Sequence, residues 1–93
     1  MANKKIAEAF RRARAQIRSG RQEFICNALY VSKAPGREAA QRVVMRRIKA
    51  GGLCWGSTLD TWVRVYVGVE PTLEQMRAYR LRWLDALIEE FEG

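Results

Sequence analysis

The chain has 93 residues, a net charge of +7 and 48% apolar residues, enough for one modest core and too little for two. It contains no histidine and only two cysteines, Cys26 and Cys54, without a Cys-x-x-Cys pair, which argues against a metal site and against most proton-transfer catalysis. The charge is lopsided: thirteen of the seventeen Lys and Arg lie in residues 1–49 beside only Glu8, Glu23 and Glu38, whereas residues 50–93 hold four arginines and seven acids.

From Asn3, an expected N-cap, Ile6, Phe10, Ala13 and Ile17 recur at helical spacing and predict a first helix that Ser19-Gly20 ends. Lys4, Arg11, Arg12, Arg14 and Arg18 fall away from that stripe and give it a cationic back. Phe24, Ile25, Ala28 and Leu29 predict a short second helix, and Lys33-Ala34-Pro35-Gly36 a turn. A third helix is expected over about 37–50, with Ala40, Val43, Val44 and Ile48 inward and Arg42, Arg46, Arg47 and Lys49 outward, stopped by Gly51-Gly52. Its basic last turn also suits the negative end of the helix dipole.

Ser57-Thr58-Leu59-Asp60 has capping-box spacing and would open a fourth helix, although the β-branched and aromatic run at 62–67 also fits a short strand. The helix is favoured, since no second strand exists to pair with it. After Gly68 and Pro71, Thr72-Leu73-Glu74-Gln75 is a capping box for the longest helix, whose Leu73, Met76, Arg80, Trp83, Leu84, Leu87, Ile88 and Phe91 share one side. The expected fold is therefore all-α, one compact domain over 1–93 of four to five short helices with a long C-terminal helix.

No nucleophile has a base at motif spacing, Glu89 and Glu90 point about 100° apart on a helix, and no phosphate-binding glycine loop is present, so no catalytic residue, enzyme activity or cofactor is expected. Each cysteine has apolar neighbours and reads as a small core residue, with pairing between them left open. No apolar run follows Lys4 and Lys5 and no stretch is long enough to span a membrane, so a cytoplasmic protein is expected.

Binding is the remaining expectation. Arginine outnumbers lysine thirteen to four, and guanidinium groups grip phosphate and carboxylate through paired hydrogen bonds. Arg11, Arg14, Arg18 and Arg21, with Arg42, Arg46, Arg47 and Lys49, would form one patch if the first and third helices pack side by side. The competing reading is a solubilising surface. Tyr30, Trp55 and Tyr66 are aromatic contact candidates, with Trp55 more easily read as a core plug. The third helix would serve as a recognition helix in a helix-turn-helix reading, but Gln41 is its only base-discriminating amide, which favours nonspecific DNA binding.

Three segments, 20–29 (GRQEFICNAL), 57–62 (STLDTW) and 76–88 (MRAYRLRWLDALI), in this order and spacing resemble small uncharacterised proteins of tailed bacteriophages and prophages. The resemblance implies a phage origin and action in the host bacterial cytosol, and it carries no active-site residues. Phage proteins of this size that are neither virion parts nor enzymes are often regulators or inhibitors of host systems. The leading expectation is thus a non-enzymatic inhibitor of bacterial defence that binds a host defence protein complex, nucleic acid or a nucleotide signal through its arginine face. A small DNA-binding transcriptional regulator is the alternative, and an oligomeric structural or assembly factor, a homo-oligomer of this chain, is the third possibility.

Overall fold

The computed structural model describes residues 3–50 and 72–92, and every regular element in them is an α-helix. In chain order these are α1 (Lys4–Arg18), α2 (Ile25–Ser32), α3 (Arg37–Ala50) and α4 (Leu73–Glu92). The expected Ser57 capping box, the helix-or-strand segment at 62–67, the Gly51-Gly52 stop, Cys54, Trp55 and Tyr66 lie outside the described residues, as does the side chain of Ile48.

α1 begins where Asn3, in extended backbone, turns its side-chain oxygen onto the Ile6 N–H at 3.2 Å and satisfies one donor the helix leaves open. Its buried face is wider than the expected stripe. Ala7 and Ala9 join Ile6, Phe10, Ala13 and Ile17 because α1 packs against all three other described helices and is covered on more than one side. Alanines on that face let neighbouring backbones approach closely. The helix closes as expected at Gly20, whose φ of 80° is the left-handed conformation glycine adopts without penalty.

α2 buries Ile25, Ala28 and Leu29 completely. At its end Lys33, not a glycine, takes the left-handed position with φ 54°. The turn is held by Ser32, whose hydroxyl donates to the Leu29 carbonyl at 2.6 Å and accepts the Ala34 N–H at 3.3 Å. Gly36 then starts the chain into α3 at a point where the backbones nearly touch. A Cβ there would collide with the Lys5 carbonyl oxygen and sit 2.7 Å from its carbon. Beyond it, Ala40, Val43 and Val44 face inward as their spacing predicts.

The capping box of α4 forms in full: Thr72 Oγ1 accepts from the Gln75 N–H at 3.1 Å and Gln75 Oε1 accepts from the Thr72 N–H at 2.9 Å. α4 runs antiparallel to α1. The Asn3 N–H donates to the Phe91 carbonyl at 2.7 Å at one end, and the Arg77 guanidinium lies against Gly20 at the other. Met76, Leu84 and Leu87 are buried from this helix, while Trp83, Ile88 and Phe91 pack half-buried around the same core. Leu73 departs from the expected stripe and is 67% exposed, because α1 ends beside Arg77 and leaves the first turn of α4 beyond its reach. Arg80, the one polar member of the stripe, is buried with its guanidinium 4.9 Å from the centre of the Phe24 ring.

Two substitutions test this framework by chemical unfolding. Gly36→Ala forces the α1 and α3 backbones apart and is expected to cost about 1–3 kcal/mol, the usual range for overpacking. Asn3→Ala removes only the cap of α1 and is expected to cost about 1 kcal/mol.

Candidate cationic interface on the third helix

The acidic end of α4 lies between α1 and α3 and takes up part of the basic charge. Arg14 grips Asp85 with two parallel contacts, Nε to Oδ1 at 2.5 Å and Nη2 to Oδ2 at 3.4 Å. Arg11 pairs with both Glu8 and Glu92, and Arg12 reaches Glu8 at 3.4 Å. On the other flank, Arg47 Nη2 stands 2.6 Å from both carboxylate oxygens of Glu90. Arg11, Arg14 and Arg47 are therefore engaged with the acidic C-terminal helix, and these three no longer belong to one open cationic patch shared by α1 and α3.

A different group remains. Arg42, Arg46 and Lys49 are exposed, recur at i, i+4 and i+7 on the side of α3 away from Ala40, Val43 and Val44, and form no ion pair among the described residues. Met45, 51% exposed, sits among them and was not singled out from sequence, although its i+3 and i−4 relation to Arg42 and Lys49 places it on the same face. An open groove of about 470 Å³ runs over this surface, lined by Glu38, Gln41, Arg42, Met45 and Arg46. Arg18 and Arg21 are also exposed, but at the far end of α1, and the structure does not place them against Arg42 or Arg46. The expected single patch is thus divided, with α3 holding the largest share of it.

Tyr30 is the one aromatic candidate within the described residues. It is 65% exposed, and the guanidinium of Arg37 lies 5.2 Å from its ring centre while Arg37 Nη1 donates to the Tyr30 carbonyl at 2.9 Å. Arg37 went unremarked in the sequence because it belongs to the next helix and meets Tyr30 only across the turn. Cys26 is a free, half-buried thiol packed against the core, and burial pushes its pKa up. Gln41 donates its amide to the Cys26 carbonyl at 3.4 Å, so this side chain is turned partly inward.

Among the described residues there is no cluster of metal-binding side chains, and no helix long and apolar enough to cross a membrane. No protein-family model, curated protein or solved structure matches the chain. The arrangement itself offers exposed guanidinium and ammonium donors on one face of α3, suited to holding carboxylate or phosphate groups by charge-assisted hydrogen bonds.

Two measurements check this description. Asp85→Ala removes a solvent-exposed pair and is expected to lower stability by no more than about 1 kcal/mol, read by chemical unfolding. Cys26 is expected to alkylate more slowly at pH 8 in the native chain than in the urea-unfolded chain, followed by peptide mass, because the raised pKa leaves less thiolate.

Proposed function

We propose that the protein is a non-enzymatic inhibitor of a bacterial defence system that acts by binding, with the outer face of α3 set against an anionic counterpart on a defence complex or in its nucleotide signal. The observation that carries this reading is the contrast within the arginines. Arg11, Arg14 and Arg47 are drawn into pairs with α4, while Arg42, Arg46 and Lys49 project together from α3, form no ion pair among the described residues and have Glu38 as the one acid lining their groove. Unpaired guanidinium groups in register are costly in self-repulsion and attract an anion at long range. The resemblance to small phage proteins supplies the setting, a host bacterium whose defences such a protein would meet.

The test is the charge reversal Arg42→Glu, Arg46→Glu and Lys49→Glu, assayed against purified defence complexes, cyclic oligonucleotides and duplex DNA, with defence measured in cells expressing each form. None of the three side chains packs in the core, so the variant is expected to stay folded, with a loss of about 1 kcal/mol from the reversed charge at the helix C-terminus. Its binding is expected to weaken by at least about tenfold, or about 1.4 kcal/mol, and its inhibition of defence to disappear. Equal binding by both forms would contradict the assignment of α3.

A second reading, a small DNA-binding regulator, is favoured by the α2–turn–α3 unit, in which the four-residue turn 33–36 leaves the basic side of α3 facing outward. Gln41 leans toward the Cys26 carbonyl, which leaves backbone contacts as the main source of affinity. Three phosphate contacts predict a slope of roughly −3 in log affinity against log salt in a mobility-shift titration. No complex at low salt would exclude this reading.

A further inference from the structure

Among the described residues four large apolar side chains are exposed, and three of them, Tyr30, Val31 and Met45, belong to the α2–α3 side of the molecule. Tyr30 and Val31 line an open groove of about 440 Å³ together with Lys33, Ala34 and Arg37. Arg37 and Glu38 are consecutive in the first turn of α3, and Glu38 lines the groove that contains Met45. Both grooves therefore start from the first turn of α3 and open about 100° apart around it, and each sets apolar atoms beside cations.

Building on the binding reading above, we propose that this α2–α3 surface docks an acidic segment of a protein partner that carries apolar side chains, which seat against Tyr30, Val31 and Met45 while its carboxylates meet Arg37, Arg42 and Arg46. Charge complementarity selects the partner: Lys33, Arg37, Arg42 and Arg46 line the grooves against Glu38 alone. The apolar residues select protein over nucleic acid. A phosphate backbone is gripped by the cations and gains nothing from Val31 or Met45, whereas tyrosine, methionine and arginine are the residue types enriched at the centres of protein interfaces. Tyr30 is also held before any partner arrives, since Arg37 both covers its ring and bonds its carbonyl, so less side-chain freedom is lost on docking. Met45 has no such restraint and can adapt its flexible thioether to the shape of the incoming side chain.

The experiment uses the full chain and three labelled probes: a helical peptide of Glu and Leu, the same peptide with every Leu replaced by Ser, and a short DNA duplex. Binding is read by anisotropy, and the contact surface by amide shifts of the isotopically labelled protein. The Leu-bearing peptide is expected to bind at least about tenfold tighter than its Ser counterpart and to shift residues of α2 and α3. Tyr30→Ala with Met45→Ser is expected to erase that preference and leave the Ser peptide unaffected, and Met45→Ser alone to reduce it; both sites are exposed, and circular dichroism confirms that the helices persist. Arg42→Glu with Arg46→Glu is expected to weaken both peptides. A preference for Leu that is absent, or that survives the apolar variant, would overturn the proposal. So would duplex DNA that binds more tightly than the peptide and loses affinity with Met45→Ser. Loss caused by the arginine variant alone would leave the binding reading standing and remove this inference, whereas no loss from either variant would remove both.

Discussion

The buried face of α1 is the constraint on which the rest of the molecule depends. Ile6, Phe10 and Ile17 fill the core from one helix, and Ala7, Ala9 and Ala13 let α2, α3 and α4 close around it. Burial of each large side chain contributes about 1.5–3 kcal/mol relative to leaving it in water, and a domain of this size has no second core to compensate for losing one. The close passage of Gly36 past Lys5 and the hydrogen bond from Asn3 to Phe91 both locate a neighbouring helix on α1. Where α3 points, and so which of its side chains face outward, follows from those contacts.

Charge is then distributed by what α1 places within reach. Its antiparallel run beside α4 sets Arg14 opposite Asp85 and Arg11 near Glu92, while Arg47 meets Glu90 from the other side. Pairs this exposed contribute little to stability, on the order of 0–1 kcal/mol each. Their larger effect is on the field: the acidic end of the C-terminal helix quenches the arginines nearest to it and leaves the outer side of α3 as a concentrated source of positive potential. Fold and binding surface are in this sense one arrangement, since the packing that buries Leu84 and Leu87 also decides which arginines remain available.

Much of this was legible in the residues. The caps at Asn3 and at Thr72-Gln75, the glycine that ends α1, the turn at 33–36 and the inward faces of all four described helices are local or periodic signals, and each is set by neighbours within about one turn of helix. What escaped depends on partners far along the chain. Nothing in the spacing of Arg11, Arg14 and Arg47 distinguishes them from Arg42 and Arg46, because the choice is made by acids 43 to 81 residues away in sequence. Leu73 obeys the helical stripe yet stays exposed because its turn outruns α1, and the Tyr30–Arg37 stack forms across a corner that no periodicity describes. Arg80 was visible as an intruder in an apolar stripe, but the ring that covers it, Phe24, comes from another part of the chain.

The central claim is that α4 silences Arg11 and Arg14 of α1 and leaves Arg42, Arg46 and Lys49 on the outer face of α3 as an open centre of positive charge. Paramagnetic relaxation of backbone amides by a small anionic chelate measures this directly, residue by residue, with an uncharged chelate of the same size as the reference for simple exposure. The account predicts the largest excess broadening by the anion at Arg42, Arg46 and Lys49, and little excess at Arg11 and Arg14. Excess that is strongest on α1, or equal over both helices, would contradict it.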